Sequence, residues 1–318
     1  MSAQKTTLAI GVDLGATTIK TGLVNNSGEI LYQTKLPSRA LDGPGAVVEQ
    51  IAASIRDALN HTNGKETVGI GIGAPGVVGS DGVVKSPPNF NAWDVFPLAR
   101  EVQNIFNTTV RIENDANAAA LAEARFGAGK EHKDFLFVIW GTGVGGGIIL
   151  DGELYRGTTG GAGEIGHMCI DYNGPQCNCG SRGCVEAFVG QRYLSQRTAE
   201  RLKRHPDSRI LQLVGGNIEN IEPYYIAQAA HEGDTLAKEI LVEAGTLLGV
   251  ALGGVMNIFD LRVSIIGGGV SGAGEFVFEA IRNSVQAHVL KHMRPEIRVL
   301  PAKLGNSAGI LGAAGLVL

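Results

Sequence analysis

Short apolar runs rich in β-branched residues alternate along this chain with stretches whose apolar residues recur every three or four positions. Residues 7–12 form such a run and lead into Asp13-Leu14-Gly15-Ala16-Thr17-Thr18-Ile19-Lys20. Strand character resumes over 19–24, Asn25-Asn26-Ser27-Gly28 is a turn, and 29–35 is a third strand. Residues 46–59 carry Val47, Val48, Ile51, Ile55, Ala58 and Leu59 at helical spacing. The run 68–72 is a buried strand that breaks at Gly73-Ala74-Pro75-Gly76. Two adjacent prolines make 86–91 a loop. Asp94 predicts the cap of a helix reaching Phe106, 109–112 a short strand, and Asn114-Asp115 the opening of an Ala-rich helix that stops near Gly127.

The same grammar returns in the second half. A strand over 135–140 enters Gly141-Thr142-Gly143-Val144-Gly145-Gly146-Gly147, followed by strand residues 148–150, a turn at Asp151-Gly152 and another short strand. Two similar β-units, about 130 residues apart, predict a duplicated architecture with a cleft between the halves. Helices are predicted over 186–202, 223–232 and 234–259. In the last, Gly245, Gly249 and Gly253 recur every four residues and allow close helix packing. A strand over 261–266 then enters Gly267-Gly268-Gly269-Val270-Ser271-Gly272. A helix over 275–289, a strand over 297–300 and a helix over 307–316 close an α/β chain.

The glycine clusters suggest chemistry. A Gly-rich turn exposes backbone N–H groups to close approach by phosphate. The first adds hydroxyls at Thr17 and Thr18, a cation at Lys20, and a carboxylate at Asp13 suited to Mg²⁺, directly or through water. The second offers Thr142. A dinucleotide site is the rival, because the second and third clusters formally satisfy G-x-G-x-x-G. However, the second is followed by strand residues, and no acid closes a strand at the expected distance after the third. No G-x-x-x-x-G-K-[ST] is present. Asn114-Asp115 lies where a strand meets a helix, the usual place for active groups in open α/β sheets. An Asp there can cap the helix or accept a proton from an attacking hydroxyl.

All four cysteines, Cys169, Cys177, Cys179 and Cys184, fall between residues 160 and 188, beside His167, Glu164 and Glu186. Cys177, Cys179 and Cys184 form a C-x-C-x4-C run with His167 ten residues ahead, a credible tetrahedral Zn²⁺ set; Cys169 is an alternative fourth ligand. The totals narrow the partners. At 318 residues with 44% hydrophobic and 18% charged content, the chain is globular and long enough for two domains. A net charge of −4 with scattered cations argues against nucleic acid. No secretory segment precedes Asp13 and the most apolar stretch, 247–256, is short for a bilayer, so a cytoplasmic chain without membrane attachment is expected.

Taken together, these residues resemble the ROK family of sugar kinases, in the actin/hexokinase-like ATPase superfamily. Asp13-Leu14-Gly15-Ala16-Thr17-Thr18-Ile19-Lys20 is similar to the family's D-x-G-x-T-x-x-K. Gly141 to Gly147 resembles its second phosphate loop and Gly267 to Gly272 its adenosine-side loop. Glu164-Ile165-Gly166-His167 and Cys177-x-Cys179-Gly180-x-x-Gly183-Cys184-x-Glu186 resemble its E-x-G-H and C-x-C-G-x-x-G-C-x-E signature. The resemblance implies a two-domain actin/hexokinase-like (ribonuclease H-like) fold with an interdomain cleft: a small domain of 1–117 plus 303–318 and a large domain of 118–302.

It also implies roles. Asp115 would be the general base toward a sugar 6-hydroxyl. Asn114, Glu164, His167 and Glu186, with Gly76 and Asn89, would contact the sugar. Asp13, Gly15, Thr17, Thr18, Lys20, Gly141, Thr142, Gly143, Gly267, Gly268 and Gly269 would bind ATP with Mg²⁺. His167, Cys177, Cys179 and Cys184 would hold a structural Zn²⁺, which settles the fourth ligand in favour of His167. The run from Tyr155-Arg156-Gly157 through Met168 is most similar to bacterial glucokinases; kinases of N-acetylglucosamine and N-acetylmannosamine share the acids, and fructokinases are relatives. The family's repressors carry a DNA-binding element ahead of the kinase-like part, and a phosphate loop starting at Asp13 leaves no room for one. The implied activity is transfer of the ATP γ-phosphoryl to an aldohexose, glucose first, by a homo-oligomer (dimer or tetramer).

Overall fold

The computed structural model describes residues 7–318. Along the chain, β1 (Leu8–Leu14), β2 (Thr18–Asn25) and β3 (Ile30–Pro37) are followed by α1 (Pro44–Leu59) and β4 (Thr67–Ala74). The short strands β5 (Val77–Val78), β6 (Val84–Lys85) and β7 (Val95–Phe96) come next, then α2 (Leu98–Phe106), β8 (Val110–Asn114) and α3 (Asp115–Phe126). The second series is β9 (Phe135–Trp140), β10 (Val144–Leu150), β11 (Glu153–Tyr155), α4 (Glu186–Val189), α5 (Gln191–Leu202), α6 (Arg209–Leu213), α7 (Pro223–His231), α8 (Thr235–Phe259), β12 (Val263–Gly267), α9 (Glu275–His288), β13 (Arg298–Pro301) and α10 (Ala308–Gly315).

Two five-stranded sheets result, with orders β3-β2-β1-β4-β8 and β11-β10-β9-β12-β13. The duplicated grammar is therefore a duplicated topology. In the first sheet β1, β2 and β3 pair antiparallel while β4 and β8 add parallel; in the second, β10 and β11 pair antiparallel while β12 lies parallel to both β9 and β13. The strands β5, β6 and β7 form a separate small sheet.

The chain divides into two compact units. One comprises residues 7–133, 147–163 and 303–318; the other comprises 134–146 and 164–302. The first six residues of the chain lie outside those described, and α3 and α10 fall together in the first unit. The reason is packing. A Cβ on Gly312 of α10 would lie 1.9 Å from the Ala118 carbonyl oxygen, so α3 and α10 touch backbone to backbone. On its other side α10 lies on the sheet, where a Cβ on Gly71 would fall 1.7 Å from the Ala313 carbonyl oxygen and one on Gly11 2.1 Å from that of Ile310. Leu8, Ile10, Val12, Ile19, Ile51, Ile55, Ile70 and Ile72 fill the core of this unit.

In the other unit α8 and α9 pack through the predicted glycine ridge: a Cβ on Gly249 would meet Ser284 at 2.5 Å, and one on Gly253 would meet His288 at 2.8 Å. By length and composition α8 could cross a membrane, contrary to the expectation from residues 247–256. However, 61% of its most apolar window is buried in the protein, as in the core helix of a globular unit. Three local expectations are corrected. Asp94 caps no helix: its carbonyl accepts the Ser86 N–H, Val95 and Phe96 enter β7, and α2 begins only after Pro97. The strand after Gly141 resumes at Val144, so the turn is shorter than the glycine run. The helix expected over 186–202 breaks at Gly190, whose extended backbone separates α4 from α5.

Candidate active site

Several of the residues singled out in the sequence fall at strand ends in each unit. In the first, Asp13 near the end of β1 pairs in register with Lys20 of β2, whose Nζ lies 3.4 Å from its carboxylate. The turn between them closes with the Gly15 N–H donating to the Thr18 carbonyl at 3.0 Å and leaves Thr17 exposed. A Cβ on Gly309 would meet the Asp13 carboxylate at 2.6–2.9 Å, so the first turn of α10 sits against that acid, where the helix dipole favours negative charge.

At the β8–α3 junction Asn114, rather than Asp115, is the helix cap. Its Oδ1 accepts the N–H groups of Ala116 (3.0 Å) and Asn117 (3.1 Å), and its Nδ2 donates to the Gly76 carbonyl at 3.0 Å. One amide hydrogen of Asn114 remains for a ligand, and Gly76 takes part through its backbone. Gly76 has φ +90°, and a Cβ there would lie 2.6 Å from the Lys85 carbonyl oxygen, so only glycine fits. Asp115 is exposed, and its Oδ1 accepts the Ala116 N–H at 2.8 Å. Asn89 is exposed in the left-handed region at φ +66°.

In the second unit Gly141, Thr142 and Gly143 form the turn between β9 and β10, and the Gly141 carbonyl accepts the N–H of Gln191 at the start of α5. Glu186 lies beside this turn: its Oε2 accepts the Val144 N–H at 2.9 Å, and a Cβ on Gly143 would come within 2.4 Å of that oxygen. Spacing alone did not reveal this link between the second glycine loop and a residue expected to contact sugar. Gly267 ends β12, and Gly268, at φ +93°, packs its backbone on Trp140, where a Cβ would lie 2.2 Å from the carbonyl oxygen. A cavity of about 610 Å³ opens here, lined by Gly141, Gly269, Val270, Tyr224, Gln228 and His231. An adjoining one of about 410 Å³ is lined by Thr142, Gln191 and Arg192 among others.

The ligand atoms of His167, Cys177, Cys179 and Cys184 all lie within 4.8 Å of one another. Cys177 Sγ is 3.8 Å from His167 Nδ1, and Cys179 Sγ is 3.7 Å from Cys184 Sγ. A tetrahedral Zn²⁺ site with ordinary Zn–S and Zn–N bonds has edges of about 3.5–3.8 Å, so these two separations are compatible with that ion. The surroundings of the thiols differ. Burial pushes Cys184 up to about 12 and raises Cys177, while backbone hydrogen bonding through Ser181 lowers Cys179. Three neighbouring thiolates form together only with a positive ion among them. Cys169 stays outside the cluster; its backbone bridges to Cys184 and its side chain is exposed. Glu164 is exposed at the start of the turn that carries His167.

The sequence pattern of the ROK family matches residues 9–318. The chain belongs to the ROK family. It is 37% identical over 309 residues to a glucokinase of Thermotoga maritima, covering 97% of this chain and 96% of the relative. It is also 32% identical over 314 residues to a xylose repressor of Caldicellulosiruptor bescii, covering 97% of this chain and 77% of that protein. Among solved structures, it superposes on a ROK family glucokinase of Streptomyces griseus, determined in complex with glucose and AMPPNP. The TM-score is 0.85 at 38% identity, covering 98% of this chain and 99% of the other.

Within this ROK protein, sequence reasoning gave no role to two residues of the site's surroundings. Glu113 is buried directly before Asn114, and Arg156 is its ion-pair partner at 2.7 Å. A buried acid within a strand gives no sign of its partner until the fold brings the two together.

Proposed function

We propose that this ROK protein is a glucokinase, transferring the γ-phosphoryl group of ATP to the 6-hydroxyl of glucose. The observation that carries the reading is the near full-length likeness to the Thermotoga maritima glucokinase and to the glucose- and AMPPNP-bound Streptomyces griseus enzyme, together with an exposed Asp115 on a capped helix N-terminus. The 6-hydroxyl oxygen attacks the γ-phosphorus while Asp115 takes its proton; the bond to the β–γ bridging oxygen breaks and ADP leaves. Glu164, His167, Glu186 and Asn114 hydrogen-bond the ring hydroxyls and hold the attacking oxygen in line. The turn at Gly15, Thr17, Thr18 and Lys20 and that at Gly141, Thr142 and Gly143 bind phosphates, and the cavity beside Gly269 accepts the nucleoside.

Asp13 would hold Mg²⁺, which neutralises charge on the phosphates when bound. His167, Cys177, Cys179 and Cys184 would hold a structural Zn²⁺ that keeps the Glu164–Glu186 segment in shape. The reading extends to a cytoplasmic homo-oligomer, dimer or tetramer, measurable by light scattering. The deciding experiment is ADP release over a panel of hexoses. Turnover with glucose above N-acetylglucosamine, N-acetylmannosamine and fructose is expected. Preference for an N-acetylhexosamine would reassign the substrate, and sugar binding without ADP release would point to a regulator such as the repressor relative.

A further inference from the structure

Glu113 is a carboxylate with only 5% of its side chain exposed, one residue before the proposed sugar contact Asn114 and two before the proposed base. Each of its oxygens is engaged. Oε1 accepts the Asn114 backbone N–H at 3.0 Å and the Asn117 Nδ2–H at 3.1 Å; Oε2 accepts the Arg156 Nε–H at 2.7 Å. Asn117 is itself buried, and its Oδ1 has no partner among the described residues, so its amide is held from the Glu113 side alone. The Asn117 N–H in turn donates to the Asn114 side chain that caps α3. Glu113 thus grips the Asn114-Asp115 turn from behind at two points.

Arg156 connects this turn to a second segment. It follows β11 directly, its carbonyl accepts the Ala162 N–H at 3.2 Å, and the loop 157–163 that it opens leads in sequence to Glu164. That loop presses on β5 at Gly160, where a Cβ would lie 2.2 Å from the Val78 carbonyl oxygen. Without Arg156, Glu113 would be an uncompensated buried charge. It would turn toward solvent and release Asn114.

We infer that Glu113 is a positioning residue and Arg156 its partner, one ion pair setting both the Asn114-Asp115 turn and the loop that leads to Glu164. The inference rests on the glucokinase reading and assigns within it two residues that are not among its proposed sugar or nucleotide contacts. Displacing the base turn by even an ångström reduces the proportion of bound sugar poised for attack, so the effect belongs in kcat and in the KM for glucose, with the KM for ATP unmoved.

The test is a double-mutant cycle on the full chain with glucose and Mg·ATP. Glu113→Gln preserves size but can offer an acceptor on one side only. Glu113→Gln and Arg156→Gln are each expected to lower kcat by about 10–10²-fold and raise the glucose KM, with the ATP KM held within about twofold. The double variant should be little worse than either single one, because the two act as a unit. Unchanged kcat per folded molecule, additive losses, or a loss expressed in the ATP KM would each overturn the inference. If Glu113→Gln does not fold, Arg156→Lys against Arg156→Gln decides: recovery of most of kcat with the lysine supports the pair, and equal loss rejects it. Failure of the underlying reading looks different, since the unaltered protein would then release no ADP with any hexose.

Discussion

The two five-stranded sheets share one strand order but carry different cargo. At the end of β1 the turn between strands holds a carboxylate, two hydroxyls and an ammonium; the equivalent turn between β9 and β10 holds one hydroxyl and no charge. After its third strand the first series returns through a single helix, α1, to β4. The second inserts the cysteine loop and five helices before β12. In the first series the acid Asp115 opens the helix that follows β8. In the second, Glu186 opens a short helix and bends back onto its own glycine turn. A duplicated scaffold supplies two strand-end turns, and the side chains and insertions make them unequal: one turn presents charge, the other backbone shaped by a neighbouring acid.

The largest effect is expected at the point of greatest asymmetry. Asp115→Asn should lower turnover by about 10²–10⁴-fold with glucose affinity nearly intact, read by steady-state kinetics and calorimetric glucose binding; retained activity would move the base elsewhere. Next comes the packing specific to the first sheet. Gly71→Ala drives a methyl group into the Ala313 carbonyl and should cost about 3 kcal/mol or more in thermal or denaturant unfolding, because backbone on both sides cannot move aside. Cys179→Ser should abolish stoichiometric zinc by elemental analysis and raise the glucose KM about tenfold or more, since Glu164 and Glu186 flank the segment that carries the proposed ligands; a zinc-free protein with an unchanged KM would contradict this.

The two glycine turns can then be set against each other. Gly143→Ala pushes the flexible end of Glu186 off the Val144 N–H and should raise the ATP KM by about tenfold with little change in melting temperature. Gly15→Ala meets only the Thr18 carbonyl at 3.1 Å and should do less. The smallest effect lies at Asp234, which caps α8 through the Ala237 N–H at 2.8 Å. Burial pushes this acid up, but the Ser208 hydroxyl and the N–H groups of Ala237, Arg209 and Leu236 outweigh burial and hold it below the usual carboxylate range. Its folded pKa is depressed, so its stabilisation is complete above the unfolded value and lost as pH falls through the folded one. Asp234→Ala should cost about 1 kcal/mol at neutral pH, and the difference should shrink on acidification in melting experiments.

Local chemistry fixed much of this protein in advance. Strand runs bounded by Asn-Asn-Ser-Gly or Asp-Gly turns, the glycine ridge of α8 and the C-x-C-x4-C spacing each follow from residues close in sequence, and each is found where expected. The repeated strand–glycine–strand grammar pointed to a duplicated architecture, and the two sheets do share one strand order. Tertiary structure decided the rest, wherever partners lie far apart in the chain. Pro97 and Gly190 moved helix starts by a few residues, and α10 returned from the C-terminus to claim α3 for the first unit. Glu186 was bonded to Val144, 42 positions away, and Glu113 to Arg156, 43 positions away. A buried acid has to find its counter-group through the fold, and no periodicity in the sequence announces which one it will be.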